Sequence, residues 1–144
     1  MILVDVNLLV YATVEEFAQH ARARVWLEER LKGPYGVALP WPALTGFVRI
    51  ACNPRILGRP MPLERAWEQV EEWLALEVTF TPEPTARHGE ILATLLPAVG
   101  NRANLVPDAH LAALAMEYGL TLCSTDADFA RFPGLRWENP LSAS

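Results

Sequence analysis

Residues 2–7 read Ile2-Leu3-Val4-Asp5-Val6-Asn7. Three large apolar residues in a row, with no polar alternation, mark a short strand buried on both faces. The run ends at an acid, and Leu8 to Thr13 then continue as a short helix, with Asn7 as its natural N-cap. Working outward, the same order of buried strand and helix recurs. Val37-Ala38-Leu39, Val78-Thr79-Phe80 and Leu120 to Cys123 read as further strands, and Leu135 to Trp137 as a short fifth. Between them, Phe17, Ala18, Ala21 and Val25 predict a helix over Glu15 to Lys32, stopped by Gly33-Pro34. Trp41 to Cys52 forms another, closed by Asn53-Pro54. Leu63, Ala66, Trp67, Val70, Trp73 and Leu74 share a helical face. Glu83 to about Leu96 is a helix with His88, Ile91, Leu92 and Leu95 inward, and Pro107 leads into a last one over Asp108 to Tyr118, ended by Gly119. Apolar strands alternating with helices predict an α/β fold with a parallel sheet covered on both faces.

The chain has 144 residues, 51% of them apolar and 20% charged, which suits one domain spanning 1–144 with a real core. Its net charge is −5, with eleven Arg and a single lysine, Lys32. That excludes a protein that grips nucleic acid mainly through a basic surface. The opening apolar run carries Asp5 and lacks a basic leader, and no stretch approaches the ~20 apolar residues of a membrane span, so a soluble cytoplasmic protein is expected. Cys52 and Cys123 sit among apolar residues and read as buried free thiols; His20, His88 and His110 are scattered and give no zinc spacing.

The acids are more telling. There are thirteen Glu but only four Asp: Asp5, Asp108, Asp126 and Asp128. In parallel sheets the working site lies beyond the carboxyl ends of the strands. Asp5 ends the first strand, Asp126 and Asp128 follow the fourth, and Asp108 opens the helix leading into the fourth, so all four reach one edge. Carboxylates gathered there repel unless a cation lies between them. An all-oxygen cluster suits Mg²⁺ (or Mn²⁺), and the chemistry implied is metal-assisted hydrolysis of a phosphate ester. Asp5, Asp108 and Asp126 are the candidate catalytic residues and metal ligands, with Asp128 a supporting ligand. Asn7 can orient Asp5, and Ser124 or Thr125 can hold a water or a phosphate oxygen; Asn7, Ser124 and Arg49 are the candidate substrate contacts. Taken singly, each acid also has a structural reading: a helix start for Asp5, a dipole-favoured first-turn residue for Asp108, a turn for Asp126 and Asp128. His88 reads as a packed core histidine. His110 points to another side of its helix than Asp108. Arg49 and Arg55 read first as salt-bridge partners and second as phosphate contacts. Trp26, Trp41, Trp67, Trp73 and Trp137 read as core or interface.

Asp5-Val6-Asn7, the stretch from Asn104 to Ala113 and Ser124-Thr125-Asp126-Ala127-Asp128-Phe129 resemble the PIN-domain ribonucleases, and among them toxins of the VapC type from bacterial toxin–antitoxin pairs. Gly46 to Arg49, Asn53-Pro54-Arg55 and the ending Phe132 to Pro140 look like one branch of that group. The resemblance implies a three-layer α/β/α domain around a five-stranded, mainly parallel sheet. It implies a Mg²⁺- or Mn²⁺-dependent endoribonuclease that cuts RNA by water attack, forms a homodimer, and is silenced by a cognate antitoxin that carries a DNA-binding part. Asp5, Asp108 and Asp126 match the family's metal-binding acids, and Asp128 an additional acid. One departure matters: the family's Glu after the second strand falls here near Thr45 or Gly46, where no acid stands. A water, Glu16 or Glu90 could replace it, or catalysis is weakened.

Two other readings compete. A haloacid-dehalogenase-like phosphatase would use Asp5 as nucleophile, but it needs an acid where Asn7 stands and a late lysine that this chain lacks. A catalytically weakened PIN-fold module that binds RNA or protein would explain the absent Glu.

Overall fold

The computed structural model describes residues 1–142, so positions 143 and 144 of the expected domain lie outside the described residues. The strands are β1 (Ile2–Val4), β2 (Val37–Ala38), β3 (Thr79–Phe80), β4 (Thr121–Cys123) and β5 (Trp137–Glu138). The helices are α1 (Val6–Thr13), α2 (His20–Lys32), α3 (Trp41–Ala51), α4 (Leu63–Leu74), α5 (His88–Leu95) and α6 (Val106–Glu117), with 3₁₀ turns at Leu96–Val99, Ala103–Leu105 and Ala127–Arg131. The sheet order is β3-β2-β1-β4-β5, and every pairing is parallel, where the resemblance implied a mainly parallel sheet.

Side-chain alternation along β1 divides the interior in two. Ile2 and Val4 join Val37, Leu39, Phe47 and Trp73 in a core on one face, under α1 to α4. Leu3 turns to the other face and packs with Leu122, Leu95, Leu114 and Phe129, under α5 and α6. This is the three-layer α/β/α arrangement, and it explains why β1 shows no polar alternation: both of its faces are covered. On the first face the Phe47 and Trp73 rings meet edge-on at 4.9 Å.

Several boundaries differ from the sequence reading. Helix α1 starts at Val6, and its N-cap is Asp5, whose Oδ1 accepts the Val6 N–H at 2.8 Å; Asn7 lies inside the helix. Helix α2 starts at His20, not Glu15. Phe17 sits in a turn with its ring edge-on to Tyr11 at 5.2 Å, and the Glu16 carboxylate accepts the backbone N–H of Gly58 and Arg59. The buried side of α2 is Ala23 and Leu27, while Val25 is 56% exposed. Helix α5 starts at His88 because Pro82 and Pro84 hold the preceding chain extended and Thr85 turns to bond Glu117.

Helix α6 ends as expected at Gly119, whose φ of +65° suits glycine. The Leu120 N–H then donates to Ala115 O at 2.8 Å, a Schellman closure that aims the chain into β4. Gly134, at φ +82°, turns the chain into β5, which starts two residues later and ends one later than the sequence suggested, at Trp137–Glu138. The strand order reverses between β1 and β4, so the crevice at their carboxyl ends is where such a sheet offers a site.

Candidate active site

Asp5 closes β1 and opens α1, and the residue is 6% exposed. Its Oδ1 caps α1, and its Oδ2 accepts from Ser124 Oγ at 2.8 Å and, more weakly, from Asn7 Nδ2 at 3.4 Å. Ser124 is fully buried at the end of β4. Its Oγ also accepts from Asn7 Nδ2 at 3.0 Å and from the Asp126 N–H at 3.0 Å. The two central strands are thus stitched together beyond their last paired residues, and Asn7 is an orienting residue, as expected, without being the cap. Because the hydroxyl of Ser124 is spent on Asp5, its expected role as a substrate contact gives way to one of fixing that carboxylate.

Asp108 lies in the first turn of α6. Burial, then the charges of Asp126, Asp5 and Asp128, push its carboxyl up to about 6, with Arg131 relieving the effect in part. Burial likewise raises the Asp5 carboxyl; the bonds from Ser124 and Val6 oppose this, and Asp126 adds to it. These mutual effects place Asp5, Asp108 and Asp126 in one electrostatic neighbourhood, as the strand-end argument predicted. Asp5 and Asp108 line a cleft of about 230 Å³ with Val6, Pro42, Ala43 and His110. No three His, Cys, Asp or Glu side chains stand at metal-ligating spacing among the described residues.

Asp126 caps the 3₁₀ turn after β4, with its Oδ1 accepting the Asp128 N–H at 2.9 Å. Asp128 adds its charge to this neighbourhood but is itself paired with two arginines. Its Oδ1 receives Arg131 at 2.9 Å and Arg102 at 3.3 Å, and the hydrogen bond from Arg131 chiefly holds its carboxyl below the usual range. It braces the loop, and neither it nor Asp126 lines the cleft that Asp5 and Asp108 share.

Arg49 is exposed near the far end of α3. It stands roughly 10 Å along the helix axis from Pro42 at the cleft, seven residues away at 1.5 Å each. Among the described residues neither it nor Arg55 forms a salt bridge, so the first reading of both fails, and Arg49 is not brought to the site. At the place of the missing acid, Thr45 is exposed and folds its hydroxyl back onto Trp41 O at 2.9 Å. A Cβ at Gly46 would lie 3.0 Å from Val6 Cγ2, so a side chain there would require Val6 to give by a few tenths of an ångström. The proposed substitutes do not line the cleft either: Glu16 holds the Gly58–Arg59 backbone, and Glu90 is exposed on α5.

Sequence reasoning missed one group entirely. His88, assigned to packing, bonds the Glu117 carboxylate through Nδ1 and His110 through Nε2, the latter at 3.0 Å. Burial and the nearby His88 lower the His110 pKa. Burial would raise the Glu117 carboxyl, but the bonds from His88 and Thr85 outweigh it and hold it low. The signal was the seven-residue spacing of His110 and Glu117, which sets both on one side of α6. Both cysteines are free as expected, but only Cys123 is buried, Cys52 being half-buried; burial with the nearby Glu138 pushes the Cys123 thiol up to about 12. No described helix is long and apolar enough to cross a membrane.

Comparison with known proteins agrees with this arrangement. The family model described as PIN domain matches residues 2–135. Ribonuclease VapC37 of Mycobacterium tuberculosis is 44% identical over 140 residues, covering 97% of each chain. Ribonuclease VapC33 of the same species is 40% identical over 141 residues, covering 98% of this chain and 99% of its own. Among solved structures, FitAcB from Neisseria gonorrhoeae superposes with a TM-score of 0.69 at 19% identity, over 97% of this chain and 98% of that one. VapBC2 from Rickettsia felis, bound to a DNA fragment from its promoter, gives 0.66 at 18% identity, over 96% and 98%. With the family match spanning nearly the whole chain and relatives this similar, the protein belongs to the PIN domain family.

Proposed function

We propose that this protein is a Mg²⁺- or Mn²⁺-dependent endoribonuclease, the toxin of a toxin–antitoxin pair, and that Asp5, Asp108 and Asp126 hold the metal. The observation that carries the reading is electrostatic. Asp5 and Asp108 lie where burial and neighbouring acids both oppose their charge, and no arginine or lysine pairs with either among the described residues. Such a site favours a divalent cation. The donors are all oxygens, which fits magnesium or manganese, ions that are held by few protein carboxylates and keep several of their waters. When bound, the ion would polarise a phosphodiester oxygen and lower the pKa of a water beside it.

The chain's own contribution is to aim the carboxylates. Ser124 and the Val6 N–H fix both oxygens of Asp5, and the first-turn position of Asp108 steadies its charge through the α6 dipole. RNA as substrate and an antitoxin as partner rest on the names of the relatives, ribonucleases VapC37 and VapC33, and on neighbours solved as VapBC and FitAB complexes. A homodimer is supported by an apolar strip on α3 and α4, where the exposed Trp41 and Trp67 rings stack at 6.4 Å beside the exposed Leu63. A mass measurement in solution tests it.

The central experiment incubates the purified protein with a total-RNA pool and Mg²⁺ or Mn²⁺. Cleavage that EDTA stops is expected. Cleavage that continues in EDTA overturns the metal assignment. RNA binding without any product favours the second reading, a binding module, for which the acid-free α3 is the specific support.

A further inference from the structure

Segment 30–63 holds five basic residues and no acid, inside a chain whose net charge is −5. Three of the five, Arg49, Arg55 and Arg59, fall at one end of α3: Arg49 in its last turn, Arg55 and Arg59 in the loop that leads to α4. All three are exposed, and none forms an ion pair among the described residues. The loop is firmly held. Leu57 is buried and anchors it in the core, Asn53 Oδ1 accepts the Arg55 N–H at 2.9 Å, and the Met61 N–H donates to Ala51 O at 2.8 Å. Glu16 is the acid that meets it, and its two oxygens are taken by the Gly58 and Arg59 N–H groups. Glu64, the next acid along the chain, lies beside Val48, about 100° around α3 from Arg49. Arg59 shares a groove with Glu15, which leaves Arg49 and Arg55 as the charges least offset by acids.

One face of α3 joins this end of the helix to the cleft. Pro42 lines the cleft with Asp5 and Asp108. Thr45 and Arg49 follow it at three and seven residues, spacings that set all three on one side, and all three are exposed. We propose that Arg49 and Arg55 hold phosphates of the RNA strand outside the cleft, so that the strand runs from the cut along this face of α3 to the loop; the choice of RNA rests on the ribonuclease reading above. No arginine or lysine lines the cleft itself. A strand drawn to the carboxylate floor meets repulsion from the acids around it, and a basic anchor a short way along offsets that repulsion. The planar fork of a guanidinium donates two hydrogen bonds to one phosphate. Because the loop is already ordered and neither guanidinium must first leave a carboxylate, binding requires little reorganisation. Continuity with the cleft favours the strand that is cut there over an acidic segment of protein.

The test titrates a fluorescent oligouridine of about 16 nucleotides with the full chain at several salt concentrations, in EDTA so that the strand stays intact. Arg49→Gln/Arg55→Gln should weaken binding roughly tenfold at about 0.1 M salt. It should also lower the slope of log affinity against log salt by about 1.4, the share of two phosphate contacts on a single strand. Arg24→Gln/Arg65→Gln removes the same charge from arginines that already pair with glutamates, and should change affinity less than about twofold. Equal losses from the two variants make the effect one of net charge and overturn the proposal. So does an unchanged slope in the first variant, or a wild type that binds no oligouridine. On a strand that the wild type cuts, the first variant should raise KM about tenfold and leave kcat within about twofold. A fall in kcat with KM unchanged overturns the proposal while the ribonuclease reading stands. A wild type that binds through these arginines and cuts nothing removes that reading and keeps the surface as one for RNA. An oligoglutamate that binds as tightly, and is lost in the same variant, assigns the surface to a protein. A change in that variant's mass in solution assigns it to a second copy of this chain. Either result overturns the proposal.

Discussion

At the floor of the cleft, Asp5 is 6% exposed and its partners are a hydroxyl, an amide and a backbone N–H. On the 3₁₀ turn after β4, Asp128 is half-exposed and pairs with two guanidinium groups. The two carboxylates belong to the same acidic edge, yet their ionisation moves in opposite directions. Burial raises Asp5, whereas Arg131 and Arg102 hold Asp128 low. Asp128 already has its countercharge within the protein. Asp5 has none and Asp108 only the partial relief of Arg131, so on the metal reading proposed above the cation would bind at the floor and not at the rim. Counting acids along the sequence cannot separate these two situations.

The widest gap between the regions should appear in cleavage. Asp5→Asn or Asp108→Asn is expected to lower the rate of RNA cleavage at least about a hundredfold, with circular dichroism unchanged. Asp128→Asn should cost less than about tenfold, the lower bound for a residue acting through another. Equal losses from Asp5→Asn and Asp128→Asn, measured with one fluorescent RNA, would erase the distinction.

Ser124→Ala sharpens it. The variant keeps every acid but removes the donor that fixes Asp5 Oδ2, leaving only the longer bond from Asn7. A loss of roughly tenfold to a hundredfold is expected, between the two aspartate classes. Wild-type rates from this variant would show that the Asp5 carboxylate needs no orientation.

Stability without metal carries the same signature. The folded Asp108 carboxyl lies at about 6, against an ordinary 3.8. Between those values the native state binds more protons than the unfolded chain, so stability falls as pH rises through the window and is lowest above it. Asp108→Asn should therefore raise the melting temperature in EDTA at pH 7 by about 2–4 °C and flatten this pH dependence. Magnesium or manganese chloride should raise the wild-type melting temperature and leave that of Asp108→Asn nearly unmoved. A wild type indifferent to both ions at millimolar concentration would remove the cation from the floor.

That Asp5, Asp108 and Asp126 come near one another was legible because each is tied to a strand end or to the start of a helix that feeds one. Periodicity locates those points, and the topology of a parallel sheet does the rest. Asp128 could not be sorted because its brace includes Arg102, 26 residues away across a turn. The start of α2 was misplaced for a related reason. The apolar spacing from Phe17 to Val25 is real, but Phe17 finds Tyr11 and Glu16 finds the Gly58–Arg59 backbone, contacts that local pattern cannot anticipate. His88 looked like core because it falls on the apolar face of α5, and nothing near it in sequence reveals a buried Glu117 29 residues on.

The smallest expected effect concerns the rim itself. Asp128→Asn removes one charge from a pair of exposed to half-exposed ion pairs, and such pairs contribute little. At pH 7 the melting temperature should fall by no more than about 2 °C. Because the folded Asp128 carboxyl lies below its ordinary value, this contribution is complete above that value and disappears as pH falls through the folded one. The wild type and the variant should therefore converge in strong acid. Removing Asp128 also relieves part of the repulsion that raises Asp108, so the midpoint of a manganese titration should move by less than about threefold. If the midpoint weakens about tenfold or more, Asp128 leaves its arginines for the ion, and the rim belongs to the ligand set after all.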